Sequence, residues 1–337
     1  MKNIVIDIHA HFTPKLLLER YAAHAAQFPG VKLLRDEKGT RMHFPGTEPT
    51  RPIMPKLSDL DDRRGWMDKN GIDHQLVGGW LDSFGYELPA GEGLAWSRFI
   101  NDCMWEQLRD EPRFTPLATV PLQDGKLAAE VLGEALDKGF GGVMIGTLPK
   151  GEGGGNLDDP SLDPFWETAS RLGAAVYLHP MFVCGEPRLN DYDLVNAIGR
   201  LVDTSIAVSR LLYSGHLLKF TGMKFILSHG GAALPYALGR LARAHQASQG
   251  KYADPRKGFA TMYFDSCVFD VDSLEYLTQK ASPRRVMLGS DAPFPIGDPE
   301  PRKVIINGDF TAAQKSDMLG KTAQSVFRVR ADCWSRS

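Results

Sequence analysis

Paired cysteines are missing from this sequence. The four present, Cys103, Cys184, Cys267 and Cys333, lie far apart and form no Cys-x-x-Cys pair. Neither a zinc knuckle nor a dithiol redox motif is therefore indicated. All four are read as reduced packing residues, Cys184 and Cys267 included although they fall near the motifs discussed below. An excess of charge of one sign is also missing: 39 Lys and Arg face 41 Asp and Glu, a formal net charge of -2. With no basic block, nucleic acid is excluded as the main partner, since phosphate binding needs concentrated Lys and Arg. No apolar run reaches membrane-spanning length, so no membrane partner is expected. From Lys2 the chain passes directly into an apolar strand pattern without a signal-peptide pattern, and a cytoplasmic location is expected. There is no solenoid-length repeat and no low-complexity tract. No Gly-x-Gly-x-x-Gly follows the first strand, which weakens a dinucleotide-binding reading. The glycine-rich stretch with Gly151, Gly153, Gly154 and Gly155 lacks the Gly-Lys-Ser/Thr ending of a phosphate loop and reads as a flexible loop.

What is present is an alternation of short apolar runs with helix-like segments. Strands are predicted at 4–8, 74–78, 115–119, 142–145, 174–178, 224–227, 262–265 and 286–288. Helices are predicted at 57–70, 93–109, 126–138, 164–171, 196–213, 234–245, 273–279 and 311–323. Gly139 and Gly173 supply helix stops before the next strand. Eight strands alternating with helices in a chain of 337 residues predict an α/β fold of the (β/α)8 TIM-barrel type, with a doubly wound sheet as the competing arrangement. Residues 13–56 break the rhythm. They are read as an insertion after strand one, in the form of a small hairpin over the barrel mouth, within one barrel domain spanning 1–337.

The chemistry is concentrated at strand ends. In Ile4-Val5-Ile6-Asp7-Ile8-His9-Ala10-His11-Phe12 the period-two pattern marks a strand. His9 and His11 lie two residues apart and share a face. Two imidazoles there form half of a metal site; the plain alternative is a packed histidine pair. Further apolar runs end in His179-Pro180, in His229-Gly230-Gly231 and in Asp291-Ala292-Pro293. Catalytic residues of a barrel sit at the C-terminal ends of its strands. His9, His11, His179 and Asp291 together offer three nitrogens and one oxygen, a set suited to Zn²⁺ with an open position, or to Mn²⁺ or another divalent metal. His229 is either a further ligand or a base or electrophile beside the metal. Asp7 and Asp265 are candidates for the surrounding shell. His24, His43, His74, His216 and His245 follow no ligand spacing and read as structural, with His43 a candidate at the mouth. Trp80 and Phe84 are candidates either for the pocket or for the core.

This arrangement resembles the amidohydrolase superfamily, in which His-x-His on strand one combines with histidines on strands five and six and an aspartate on strand eight. Its two-metal members bridge with a strand-four lysine or a glutamate. Here strand four reads Gly142-Val143-Met144-Ile145-Gly146-Thr147, so the resemblance implies a single metal. The likeness narrows to the decarboxylase branch on Ile6 to Phe12, Val120-Pro121-Leu122-Gln123-Asp124, His229-Gly230-Gly231 with Leu238-Gly239-Arg240, and Val286 to Asp291 with Pro293-Phe294-Pro295. It implies that Arg51 binds a substrate carboxylate, that Arg240 reaches the neighbouring subunit's site in a homodimer, and that Phe294 packs over the substrate. The segments 181–184 and 189–193, and Ala292, depart from the branch at pocket positions, which leaves the substrate open.

The activity implied is non-oxidative decarboxylation of an unsaturated or aromatic carboxylic acid, with His229 and Asp291 handling the proton that replaces CO2. The alternative is a hydrolase or hydratase of the same superfamily, acting on a lactone or on a carbon–carbon bond of a ring-cleavage product. A non-catalytic metal-storing or scaffold protein is the third reading; four converging ligands with an open position argue against it.

Overall fold

The computed structural model describes residues 4–181 and 186–330. The expectations for Cys184, Cys333 and positions 182–184 fall outside the described residues. Ten strands are present among those described: β1 (Ile6–Phe12), β2 (Lys32–Asp36), β3 (Gly39–His43), β4 (His74–Gly79), β5 (Phe114–Pro116), β6 (Val143–Gly146), β7 (Ala175–His179), β8 (Lys224–Leu227), β9 (Tyr263–Asp265) and β10 (Val286–Met287). Eight of them close into a parallel barrel. β1, β4 and β5 form one parallel run, and β6 to β10 form another in chain order. Parallel bridges from Ala10 to Ala292 and from Ala118 to Val143 join the two runs at both seams. At the β10–β1 seam Ile8 N donates to Leu288 O at 2.9 Å and Asp291 N to His9 O at 2.8 Å. The barrel is therefore the architecture adopted, rather than a doubly wound sheet.

The strands are buried on both sides, as a barrel wrapped by helices requires. All seven residues of β1 are buried. Its alternation consequently separates inward Asp7, His9 and His11 from outward Ile6, Ile8 and Ala10, rather than core from solvent. Predicted strand limits shift by a few residues. β1 runs on past the 4–8 core of the expected strand to Phe12 and carries both histidines within its length, as the alternation over 4–12 indicates. Helices cover the barrel at Leu60–Asn70, Ala90–Leu108, Gly125–Lys138, Asp163–Leu172, Arg200–Ser214, Leu234–Ala247 and Val271–Ala281. The helices before Gly139 and Gly173 do end there, at φ of 110° and 61° respectively. A glycine reaches these left-handed angles without the Cβ penalty.

Residues 13–56 are more structured than the expected hairpin alone. The antiparallel pair β2–β3 is present, preceded by a helix, Lys15–His24, that the weak apolar periodicity did not announce. Leu17, Phe28, Val31, Met42 and Phe44 pack with Leu88, Trp96, Phe99 and Ile100 in a hydrophobic cluster separate from the main core. The insertion is thus moored to the long helix Ala90–Leu108. Short helices at His216–Lys219, Pro255–Phe259 and Arg302–Asn307 were likewise not anticipated. They are too brief to carry a full amphipathic period.

Candidate metal centre and active site

Five ionisable side chains from four strand ends converge at the C-terminal mouth of the barrel. His9 Nε2 lies 3.3 Å and His11 Nε2 3.1 Å from Asp291 Oδ1, while His229 Nε2 lies 3.4 Å from Asp291 Oδ2. The ring centroids of His11 and His179 are 4.8 Å apart, and those of His179 and His229 are 5.2 Å apart. One ligand atom from each of His9, His179, His229 and Asp291 lies within 4.8 Å of the others. His11 joins this group through its contact with Asp291.

The outer nitrogens of the three expected ligand histidines are all held by oxygen. His9 Nδ1 meets Asp265 Oδ2 at 2.6 Å, His11 Nδ1 meets Gly79 O at 3.2 Å, and His179 Nδ1 meets Pro180 O at 2.9 Å. An acceptor at Nδ1 favours the tautomer protonated there and turns the Nε2 lone pair inward. His9 Nε2, His11 Nε2, His179 Nε2 and Asp291 Oδ1 are all buried without a hydrogen-bond partner. Burying four such atoms unsatisfied is costly. Together they form the three-nitrogen, one-oxygen set that a divalent cation takes. The residues therefore fit a metal. His229 is turned differently: its Nε2 faces Asp291 and its Nδ1 is the buried atom without a hydrogen-bond partner.

The electrostatics follow from this crowding. Burial by itself would push the His9 imidazolium pKa down, but the Asp291 and Asp265 carboxylates outweigh it and hold the pKa well above the ordinary value. Burial dominates at His11 and His179 and lowers both, the neighbouring imidazoles adding to the fall at His179. Burial opposes ionisation of Asp291, yet the surrounding histidines hold its pKa well below the usual carboxylate range. Both His229 and Asp291 have left-handed backbones, with φ of 52° and 61°. Such conformations are uncommon outside glycine and are held here by the barrel.

Beneath the cluster, Asp265 and Asp7 act as buried anchors. Asp265 accepts from His9 and, at 2.8 Å, from both Tyr177 Oη and Gly230 N. Asp7 accepts from His9 N at 3.0 Å, Gln75 Nε2 at 2.7 Å and Ser290 Oγ at 2.5 Å, which laces β1 to the segment carrying Asp291. Arg63 completes this layer, donating to Gln75 Oε1 and to His11 O, each at 2.8 Å. Tyr177 and Arg63 escaped sequence reading, since only barrel closure brings them under the histidines. Gly289 is required for close approach: a Cβ there would stand 2.7 Å from Asp265 Cβ and 3.0 Å from His9 Cβ.

Above the cluster opens a cavity of about 570 Å³ with His229 and Asp291 among its lining residues. Leu201, Pro235, Val268, Phe269 and Tyr276 make its walls largely apolar, and Arg200 contributes a guanidinium. Arg200 carries no signal in the sequence. Arg51 does not line this cavity. It donates through Nε and Nη2 to Asp82 Oδ2 at 3.2 and 3.1 Å, lies over Trp80, and borders a neighbouring cavity of about 290 Å³. Arg240 is exposed on the helix Leu234–Ala247, one turn beyond Tyr236 at the cavity rim. The Phe294 ring packs 4.9 Å from the His11 ring. Trp80 and Phe84 are buried and line none of the described cavities. The other histidines are structural: His43 bonds Thr47 O, His74 bonds Thr115 and His216 bonds Ser214.

The chain belongs to the amidohydrolase family, whose profile, described as Amidohydrolase, matches residues 6–329. Among curated relatives it is similar to the 2-amino-3-carboxymuconate-6-semialdehyde decarboxylase of Dictyostelium discoideum, with 28% identity over 335 residues, 96% of this chain and 91% of that protein. Among solved structures it is similar to the 5-carboxyvanillate decarboxylase of Sphingomonas paucimobilis, with TM-score 0.81, 25% identity and coverage of 98% of this chain and 100% of that one. It also shares its fold with a dihydroxybenzoic acid decarboxylase of Polaromonas sp. JS666, with TM-score 0.78, 23% identity and 99% of each chain covered. That structure holds manganese and the inhibitor 2-nitroresorcinol.

Proposed function

We propose that the protein is a metal-dependent, non-oxidative decarboxylase of an unsaturated or aromatic carboxylic acid. The observation that carries this reading is the convergence of four buried ligand atoms that form no hydrogen bond, on His9, His11, His179 and Asp291, beneath a largely apolar cavity. Family membership and the named decarboxylase relatives support it. The four residues are proposed as ligands of one divalent cation per chain. Zn²⁺ is favoured by the mixed histidine–carboxylate set, and Mn²⁺, present in the dihydroxybenzoic acid decarboxylase, is the competitor.

When bound, such a cation supplies Lewis-acid stabilisation of negative charge developing on the substrate's oxygens. The remaining work falls to the chain. The apolar walls hold the ring or conjugated chain and exclude water. Phe294 packs at the edge of the site against His11. His229, hydrogen-bonded to Asp291, delivers the proton from its imidazolium form to the carbon that loses CO2 and is left a neutral imidazole, with the Asp291 carboxylate stabilising the imidazolium before the transfer. Arg51, engaged by Asp82, is assigned to the entrance of the site.

The same reading takes the chain as one barrel unit with residues 13–56 as its cap, located in the cytoplasm and acting as a homodimer. Among the described residues no helix is long and apolar enough to cross a membrane. The dimer is supported by exposed Tyr236, Phe269 and Ile296 at the cavity rim and by a stripe of exposed Ile198, Val202 and Ile206 on the adjoining helical segment. Arg240, one turn from Tyr236, is the residue proposed to reach the partner's cavity. The test is CO2 release from candidate acids by the metal-analysed protein. Release that survives complete metal removal, or water-dependent C–O or C–N cleavage in its place, overturns the proposal and moves the protein to the hydrolases.

A further inference from the structure

A second cavity lies at the end of the barrel opposite the histidine cluster. Three neighbouring strands start there: Lys224 opens β8, Tyr263 opens β9, and Arg285 directly precedes β10. Parallel pairing of Ile226 with Tyr263 and of Phe264 with Val286 keeps these starts side by side. Together with Leu217, Phe220 and Thr221 from the preceding connection, they enclose about 190 Å³. Residues at this end of a barrel ordinarily serve stability, and none of those named takes part in the proposed reaction.

The charge of this cavity sets it apart. The whole chain carries a formal net charge of -2, yet the cavity is lined by Lys224 and Arg285 and by no Asp or Glu. Both cations are half-buried. Arg285 is held in place: its Cζ lies 4.5 Å from the centre of the Tyr263 ring, and Nη1 donates to Thr261 O at 3.2 Å. A ring face and a carbonyl fix the guanidinium plane without cancelling its charge. The neighbouring cations are answered locally, Lys219 by Asp163 at 2.6 Å and Arg284 by Asp317 at 3.8 Å. Among the described residues Lys224 and Arg285 form no ion pair with a carboxylate. Two half-buried like charges around one small cavity repel each other and attract an anion.

We propose that this cavity is a binding site for a phosphoryl dianion, either free phosphate or a small phosphomonoester. Two cations match two negative charges, whereas a single carboxylate would neutralise only one of them. Arg285 supplies the fork that suits phosphate oxygens, Lys224 a point charge, and Thr221 a hydroxyl at the rim. Phe220 and Leu217 offer an apolar side for the organic group of an ester. The site is separate from the proposed metal ligands and does not depend on a metal.

The experiment is calorimetric titration with inorganic phosphate and with phenyl phosphate, at ionic strength held constant with chloride, on the protein before and after metal removal. Wild type is expected to bind one phosphoryl group per chain with a Kd of about 1 mM or tighter, and to keep that affinity without metal. Lys224→Gln and Arg285→Gln are each expected to weaken binding at least about 10-fold. Lys126→Gln, a change at an exposed lysine outside the cavity, is expected to leave it unaltered. Comparable affinity for the two probes assigns the site to the phosphoryl group itself, and tighter phenyl phosphate assigns it to an ester. A further measurement needs no variant: phosphate should protect Lys224, but not Lys126, from acylation by acetic anhydride, read by peptide mass spectrometry. No saturable binding, binding that disappears with the metal, binding unchanged in both cavity variants, or equal acylation of Lys224 with and without phosphate overturns the proposal.

Discussion

His9 and Asp265, 256 residues apart in the chain, meet through Nδ1 and Oδ2 at 2.6 Å with both side chains fully buried. This pairing turns the other nitrogen of His9 towards Asp291, and Tyr177 holds the same Asp265 oxygen at 2.8 Å. The first prediction concerns this pair. Asp265→Asn keeps the shape but removes the charge that orients and polarises the imidazole. Chelator competition should show metal affinity reduced by about 10- to 100-fold, and Tyr177→Phe should give a smaller loss in the same direction. Unchanged affinity in Asp265→Asn would show that the pair plays no part in holding the metal.

His229 and the four proposed ligands should separate experimentally. His229→Asn should lower kcat by about 10²- to 10⁴-fold with metal content intact. His11→Ala should lose metal and activity together, because His11 Nε2, buried and free of any hydrogen bond, is one of the four proposed ligand atoms. Metal analysis beside steady-state kinetics reads both. Loss of metal from His229→Asn would move His229 into the ligand set.

Gly289 gives a steric test. A methyl group there would press on Asp265 Cβ and His9 Cβ at 2.7 and 3.0 Å. Gly289→Ala should therefore weaken metal binding and lower the melting temperature by several degrees, as overpacking by about 1 to 3 kcal/mol does. Wild-type melting and metal content in this variant would mean that strands β9 and β10 separate more easily than the packing indicates.

His74 gives a stability test remote from the metal. Burial, aided by nearby Arg330 and Arg113, pushes its pKa from 6.5 down to about 3. Its folded form stays neutral while the unfolded chain takes up a proton below pH 6.5. Its stabilising contribution is therefore full above that value and is lost as pH falls towards 3. At about 1.4 kcal/mol per unit, roughly 2 to 3 kcal/mol should be gone by about pH 4.5. Urea unfolding of wild type and His74→Gln should show the stability gap narrowing by that amount between about pH 7 and pH 4.5. A constant gap would contradict a neutral buried His74.

Much of this site was legible in the sequence because its parts are local. Each of His9, His11, His179, His229 and Asp291 closes an apolar run, and a parallel barrel gathers such ends at one mouth. The strand alternation also marked Asp7, which does lie under the cluster. What escaped depends on contacts between distant segments. Tyr177 looks like any buried aromatic until β7 and β9 place it on Asp265. Arg63 resembles an ordinary helix residue until it reaches His11 O. Arg200 owes its position to a π-turn at Val195–Gly199, which leaves no periodic trace. Arg51, marked for substrate by the resemblance, lies against Asp82 beside the cavity. The insertion helix Lys15–His24 was missed because only Leu17 of its ten residues is buried.

The most direct test of the central claim is single-vessel decarboxylation in ¹⁸O-labelled water, using metal-analysed protein before and after chelation. The account predicts CO2 in proportion to acid consumed, an organic product carrying one new hydrogen and no ¹⁸O, loss of both on metal removal, and recovery on adding a divalent cation. An organic product labelled with ¹⁸O, or CO2 release indifferent to the metal, would contradict it.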